Sequence, residues 1–281
     1  MANWLKISRP GTLFAAISPV VAALCCIDQG TDINITTAAV TLLAAMAIQI
    51  LSNFVNDYFD YKRGSDGAER LGPVRAISKG LVTAHQMKCA IALVAAVAIV
   101  LGAYLIWVGG WPIALIGISA LVFACLYSIG RYSLSHLGIA DIFVFIYFGP
   151  VASLGTYYLQ MMSASASAFW VGCATGLISM AVLTVNNRRD AEQDRLHGKK
   201  TIVVRLGNRF AAIYYSLLIL APIAILGLVV KSWLSLIVIP YAIALIWMFW
   251  TYKGRQFNKL LIVTGLYNVV WTIAFIFLTL P

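Results

Sequence analysis

The chain has 281 residues, of which 62% are hydrophobic and 11% charged, with a mean hydropathy of +0.90 and a formal net charge of +10. Soluble domains carry about a quarter charged residues, so this composition excludes an ordinary water-soluble domain. The surplus of bases needs no nucleic-acid partner, and none is expected, because topology accounts for it.

Nine apolar segments near the length that crosses a hydrocarbon core follow in order at 11–28, 37–58, 86–108, 111–130, 139–160, 165–187, 209–230, 232–252 and 259–279. Their linkers are short, so residues 1–281 are expected to form a single all-α polytopic membrane domain of nine transmembrane helices. The segments lack the period-two alternation of membrane β-barrel strands. With the N-terminus on the cytoplasmic side, only Lys231 falls outside, beside Asp28 and Asp32. The inner face then holds 19 of the 20 Lys and Arg residues, which is the asymmetry the positive-inside rule requires.

The first segment has a signal-peptide outline, with Lys6 and Arg9 ahead of an apolar run ending Ala22-Ala23-Leu24-Cys25-Cys26. Leu24 is unsuited to the position before a lipidation cysteine and eight further segments follow, so the segment reads as a retained span. Cys25, Cys26, Cys89, Cys125 and Cys173 show no paired metal spacing and read as small packing residues.

The second segment ends in a polar stripe. Gln49, Asn53, Asn56, Asp57 and Asp60 recur three or four apart, so on a helix they share one face. Polar groups at membrane depth are costly and normally face a bundle interior or a watery cavity. The loop that follows carries Asp66 and Glu69 among Lys62, Arg63, Arg70, Arg75 and Lys79, with glycines at 64, 67, 72 and 80. Such a charge run in a soluble protein is usually a solvated surface. Here the acids continue a stripe that begins inside the membrane, which favours a ligand site. Carboxylates are hard oxygen donors suited to Mg²⁺, and Arg matches phosphate oxygens with a bidentate fork.

Thr83-Ala84-His85-Gln86 has the pattern of a capping box, which makes His85 a helix-start residue rather than a ligand. His136 and His197 stand alone in loops. Gly109-Gly110-Trp111-Pro112 predicts a turn that, with Trp107, suits the outer interface. The fourth segment ends Tyr127-Ser128-Ile129-Gly130-Arg131, and Asp141 opens the fifth. Two readings of Asp141 stand together: a carboxylate favoured by the helix N-terminus, and an acid that orients substrate at the cavity mouth. Tyr147, Tyr157, Tyr158 and Trp170 read as packing or interfacial aromatics. The sixth segment closes like the second, with Asn186, Asn187, Asp190 and Asp194 at helical spacing and Arg188, Arg189, Lys199 and Lys200 beside them. Seven of the ten acids lie in these two inner loops. Two carboxylate clusters on one membrane face, each followed by bases, describe a metal–diphosphate site.

At these residues the chain resembles a family. Asn56-Asp57-x-x-Asp60 is similar to the first signature of the UbiA superfamily of intramembrane aromatic prenyltransferases, and Asp190-x-x-x-Asp194 to its second Asp-rich motif. Gly64 stands where the general form has an acid, and that variant resembles the MenA branch, the 1,4-dihydroxy-2-naphthoate polyprenyltransferases. Arg9-Pro10-x-Thr12, Arg70-Leu71-Gly72-Pro73-Val74-Arg75, Asn186-Asn187-x-Arg189-Asp190 and the run from Gly198-Lys199-Lys200-Thr201 to Arg205-Leu206-Gly207 are similar too.

The resemblance implies a UbiA-like bundle of nine helices, with a polar cavity opening to the cytoplasmic side of a bacterial inner membrane. It implies Mg²⁺ on Asp57, Asp60, Asp190 and Asp194, which would carry catalysis, and a polar wall completed by Asn53, Asn56 and Asn187. Lys62, Arg63, Arg189, Lys199 and Lys200 would neutralise a diphosphate, and Asp66, Arg70, Arg75, Tyr127, Arg131 and Asp141 would join the substrate contacts. The polyprenyl diphosphate tail would lie among apolar helices open to lipid, under a Gly-rich 64–80 lid. The aromatic acceptor would be 1,4-dihydroxy-2-naphthoate. Three alternatives remain at this stage: an acceptor such as 4-hydroxybenzoate, a non-catalytic isoprenoid-diphosphate binder, and a transporter. The acids lie at one membrane face rather than the midplane, which argues against transport.

Overall fold

The computed structural model describes residues 4–64, 71–72, 76–130 and 133–279. Among them every regular element is a helix. A short α1 (Trp4–Ile7) turns into α2 (Pro10–Leu24), followed by α3 (Ile35–Lys62), α4 (Ala84–Leu126), α5 (Leu134–Leu137), α6 (Ala140–Tyr147) and α7 (Pro150–Met161). Then come α8 (Ala166–Arg189), α9 (Ala191–Leu196), α10 (Ile202–Val230), α11 (Ile239–Thr251) and α12 (Phe257–Thr279).

Local chemistry sets the helix starts. Asn34 Oδ1 accepts from the Thr37 amide at 2.9 Å to open α3. The expected capping box opens α4: the Thr83 amide donates to Gln86 Oε1 at 2.8 Å, and the Gln86 amide to Thr83 Oγ1 at 3.1 Å. Pro10 stands at the start of α2, where its missing N–H costs nothing.

Among the described residues, seven stretches are long and apolar enough to cross a membrane, which makes the chain a multi-pass membrane protein. The difference from nine expected spans has two causes. The first segment becomes only the 15 residues of α2, about 22 Å of helix at 1.5 Å per residue. The third and fourth run together as the 43-residue α4, broken at Gly110, where φ is 68° and ψ −153°. That break falls in the expected turn, flanked by the exposed Trp107 and Trp111. Leu105 before it and Ile113 after it pack in one cluster with Ala44 of α3 and Leu159 of α7. Ala98 and Ala124, on opposite sides of the break at Gly110, face the same cavity.

The fifth expected span is also interrupted. The chain breaks between α6 and α7 at Phe148-Gly149, where the backbone runs against α8. A Cβ on Gly149 would fall 2.7 Å from the Gly172 carbonyl oxygen and 3.0 Å from Gly176 Cα, so only glycine fits this crossing. The Thr175 hydroxyl proton is shared between the Gly172 carbonyl at 3.0 Å and the Phe148 carbonyl at 3.3 Å, one of the groups freed by the break.

The largest core lies among α8, α10, α11 and α12 and contains Trp271, Tyr215, Tyr267 and Phe257. Its aromatic tips find partners: Trp271 Nε1 donates to the Pro222 carbonyl at 2.9 Å, and Tyr215 and Thr264 hydroxyls meet at 2.7 Å. Leu115, Leu228, Trp247 and Phe277 remain exposed, as lipid-facing side chains do. This rigid half carries α8, and with it the second polar stripe.

Candidate active site

The first stripe forms one wall of a polar cavity. Gln49, Asn53, Asp57 and Asp60 are all buried along α3, facing the α1–α2 turn. Gln49 Nε2 donates to Thr12 Oγ1 and to Asn53 Oδ1, both at 3.2 Å. Asn53 Nδ2 donates to the Ser8 carbonyl at 3.0 Å and to Thr12 Oγ1 at 2.9 Å. Arg9, which caps this turn in a left-handed conformation with φ 55°, forms an ion pair with Asp57. A non-glycine residue held there costs about 1–2 kcal/mol, and the charge-assisted hydrogen bond to Asp57 offsets it. Arg63 pairs with Asp60 at 2.6 Å and donates to the Ser128 carbonyl at 2.7 Å, fastening the end of α3 to the end of α4.

The second stripe forms the facing wall. Asn186 and Asn187 lie in the last turn of α8, Asp190 joins α8 to α9, and Asp194 is buried on α9. Arg189, 5% exposed, grips both oxygens of Asp190, with Nε to Oδ1 at 2.8 Å and Nη2 to Oδ2 at 2.7 Å. Its third nitrogen donates to Asn258 Oδ1 at 3.0 Å, and Asn258 Nδ2 donates to the Leu71 carbonyl at 2.8 Å. The second stripe is thereby tied to α12 and to the first inner loop.

Lys199 Nζ lies 3.2 Å from Asp194 Oδ1. Burial pushes the Asp194 carboxyl above its ordinary value, Lys199 pulls it down, and the charges of Asp190 and Asp60 push it up again. The next residue locks the backbone: the Lys200 amide donates to the His136 carbonyl at 2.8 Å. A Cβ on Gly138 would land 1.8 Å from the Lys200 carbonyl oxygen, in a residue whose φ is already +74°, so this crossing also requires glycine. His136 beneath it is held at about 4 by burial, with Arg63 and Lys199 adding to the effect.

The two walls enclose a cavity of about 210 Å³. Of the residues singled out in the sequence, Asn53, Asn56, Asp60, Tyr127, Asp141, Asn187, Arg189, Asp190, Asp194 and Lys199 line it. Asp57 stands behind it, paired with Arg9, which does line it. Lys62 and Lys200 lie on the exposed surface outside the lining, and Arg63 is engaged with Asp60 and Ser128. Asp66, Arg70, Arg75 and Arg131 fall outside the described residues, as does most of the 64–80 segment.

Several lining or bracing residues were not picked out as site residues: Arg9, Thr12, Ser179, Asn258 and Asn268. A sequence signal did exist for three of them, because Thr12, Ser179 and Asn268 are isolated polar residues inside apolar segments.

An apolar cavity of about 330 Å³ lies beside the polar one, between α3, α4 and α7. Gln49, Ser52, Tyr127, Val144 and Phe148 line both, so the two chambers share a wall. The donors in the polar chamber are carboxylate and amide oxygens, which fits a hard divalent cation. Among the described residues, no three acids, histidines or cysteines converge to cage an ion by themselves. Mg²⁺ in such a setting takes one or two carboxylates and completes its shell with water and substrate oxygens.

A membrane-spanning bundle whose carboxylate-lined chamber shares a wall with an apolar one suits a substrate with an anionic head and an apolar tail. The chain belongs to the UbiA prenyltransferase family, whose profile matches residues 16–261, and it is a prenyltransferase. Among its relatives is the 1,4-dihydroxy-2-naphthoate octaprenyltransferase of Haemophilus influenzae, 35% identical over 77% of this chain and 73% of that one. The protein of the same name from Mycobacterium tuberculosis is 34% identical over 97% of this chain and 95% of its own. Solved structures share the fold at lower identity. A UbiA homolog from Archaeoglobus fulgidus bound to GPP and Mg²⁺ is 14% identical with a TM-score of 0.69, covering 99% of both chains. The apo structure of a UbiA homolog from Aeropyrum pernix K1 is 17% identical with a TM-score of 0.70, over 93% of this chain and 96% of that one.

Proposed function

We propose that this enzyme transfers a polyprenyl group from its diphosphate to 1,4-dihydroxy-2-naphthoate with loss of CO₂, giving demethylmenaquinol in menaquinone biosynthesis. The observation that carries this reading is the pair of carboxylate-and-amide walls closing on one polar chamber that shares five lining residues with an apolar one. The diphosphate head fits the polar chamber and the tail the apolar one, so the allylic carbon lies near their border at Gln49, Ser52, Tyr127, Val144 and Phe148. The full-length relatives named for the naphthoate reaction support the choice of acceptor.

Asp57, Asp60, Asp190 and Asp194 would hold Mg²⁺, consistent with the metal and prenyl diphosphate bound by the Archaeoglobus fulgidus homolog. The metal supplies Lewis-acid stabilisation of the charge that develops on the departing diphosphate. Arg9, Arg189 and Lys199 line the chamber and rest on carboxylates; Arg9 and Lys199 would turn to phosphate oxygens when the head group enters, and Arg189 would add its charge from its fixed place in the wall. Asn56 and Asn187 donate from the walls, while Asn53, whose amide donors are taken by Ser8 and Thr12, completes and braces the first wall. The allylic C–O bond breaks and its electrons leave on the diphosphate. The ring carbon bearing the carboxylate bonds to the prenyl carbon, and CO₂ departs, returning its bonding pair to the ring. The buried chamber walls keep water from the allylic cation.

We also assign a topology to this reading. α2 and the two halves of α4 each count as a membrane helix, giving nine in one domain, with the N-terminus and the polar chamber on the cytoplasmic side of the inner membrane. The distribution of Lys and Arg supports it. Product analysis tests the whole reading: membranes carrying the protein receive Mg²⁺, labelled polyprenyl diphosphate, and either dihydroxynaphthoate or 4-hydroxybenzoate, with and without EDTA. A prenylated, decarboxylated naphthoquinol that disappears with EDTA is the expected result. Product from hydroxybenzoate alone overturns the acceptor assignment.

A further inference from the structure

Three buried oxygens lining the polar chamber have no hydrogen-bond donor among the described residues: Gln49 Oε1, Asp141 Oδ1 and Asn268 Oδ1. Buried acceptors left unpaired in a native fold call for an explanation. Gln49 belongs to the first stripe. Asp141 and Asn268 belong to neither, and they come from different elements: the first turn of α6 and the middle of α12.

Their orientations are fixed from behind. Asp141 is 4% exposed, and the Tyr214 hydroxyl of α10 stands beside its carboxylate. Asn268 is fully buried, and its Nδ2 donates to Ser179 Oγ at 3.4 Å. Ser179 has one hydroxyl proton, and that proton goes to the Thr175 carbonyl at 2.8 Å. Ser179 can therefore only accept from Asn268, so the amide must keep its nitrogen on Ser179 and its oxygen free. Both side chains present acceptors to the chamber. A matching ligand brings donors.

The helix geometry says what lies next to those donors. Asp141, Val144 and Phe148 are spaced i, i+3, i+7 and share one face of α6 and its end. Val144 and Phe148 line both chambers. A group donating to Asp141 thus rests its body on two apolar side chains at the border where the allylic carbon sits. A flat ring with hydroxyl groups on its edge has that form.

We propose that Asp141 and Asn268 form the subsite that receives the ring hydroxyls of the aromatic acceptor. The proposal rests on the prenyl-transfer reading. A hydroxyl donating to the Asp141 carboxylate makes the ring more electron-rich and holds its reacting carbon toward the border, while Tyr214 positions Asp141. Sites built to bond a substrate hydroxyl discriminate strongly against analogues that lack it.

The test uses the purified full chain, comparing wild type with Asp141→Asn and Asn268→Leu. Equilibrium binding of 1,4-dihydroxy-2-naphthoate is measured in EDTA without prenyl diphosphate. With Mg²⁺, KM is measured for each substrate, and turnover of the dihydroxy acid is compared with that of its 4-methyl ether. Asp141→Asn is expected to weaken acceptor binding and raise acceptor KM by about tenfold or more, the scale of one buried hydrogen bond to a charged group. The KM for prenyl diphosphate should stay within about twofold, and the preference for the free hydroxyl over the ether should collapse. Asn268→Leu should act in the same direction, and it carries the test together with Tyr214→Phe if Asp141→Asn does not fold. A folded Asp141→Asn protein with wild-type acceptor binding and an intact hydroxyl preference overturns the subsite. Loss of cation affinity with unchanged acceptor binding overturns it too, by making these oxygens a cation site. Wild type that binds the acceptor but makes no product breaks the prenyl-transfer reading instead.

Discussion

The two acidic stripes face one chamber from different structural settings. The first is the interior face of a single 28-residue helix, and its bases come from elsewhere: Arg9 lies 48 residues before Asp57 in sequence. Its amides Gln49 and Asn53 lock it to the α1–α2 turn. The second straddles a helix break, and its bases are near neighbours, with Arg189 one residue before Asp190 and Lys199 five after Asp194. The first wall is therefore a fixed surface. The second is a short jaw, held by two pins: the Arg189–Asn258–Leu71 chain and the backbone crossing at Gly138.

The comparison breaks most sharply if one stripe proves dispensable. Replacing Asp60 or Asp190 with Ala should each lower turnover by about 10³-fold or more, the scale of losing a main electrostatic contact to the transition state, with size-exclusion profile and helicity unchanged. Equal losses from both walls are expected, measured as kcat under Mg²⁺ saturation. Next in size, Arg189→Ala strips a buried guanidinium from Asp190 and Asn258, and should lower stability by about 3 kcal/mol. Thermal denaturation in detergent checks this. Gly138→Ala tests the second pin: its Cβ would collide with the Lys200 carbonyl at a positive φ. A loss of about 1–3 kcal/mol is expected, with a larger fractional effect on turnover than a surface glycine such as Gly30 gives.

The smallest effect is a pH dependence under the same jaw. Burial lowers His136 to about 4 from an ordinary value of 6.5. Between those values the unfolded chain binds a proton that the folded chain does not, so stability should fall as pH drops from 6.5 toward 4. Above 6.5 the contribution is constant. Melting temperature against pH, compared with His136→Gln, should show the slope in wild type and a flatter curve in the variant.

Much of this could be read from the residues alone. The stripes at 49–60 and 186–194, the turn at Gly109-Gly110 and the Thr83–Gln86 box are local patterns, and each lies where its spacing puts it. The roles of Arg9, Asn258 and Asn268 depend on partners 48 to 187 residues away, so the residue types and motifs at those positions did not say what they would touch. Lys62 and Lys200 show the converse. Sitting in a basic run is not enough to face the chamber: Lys62 lies exposed in the last turn of α3, and Lys200 lies exposed in the loop between α9 and α10. Nine apolar segments were legible because hydropathy and the Gly109-Gly110 turn are local signals; what they did not show is that α2 is only 15 residues long and that the backbone stays helical on both sides of Gly110.

The central claim is that the two stripes act together on one metal-held diphosphate. Its most direct test is equilibrium binding of a polyprenyl diphosphate to the purified protein across a Mg²⁺ titration, for wild type, Asp60→Asn, Asp190→Asn and the double variant. Joint action predicts that each single variant loses the Mg²⁺-dependent part of binding and that the double variant is scarcely worse than either. A single variant that keeps wild-type Mg²⁺-dependent affinity, or losses that simply add, would contradict it.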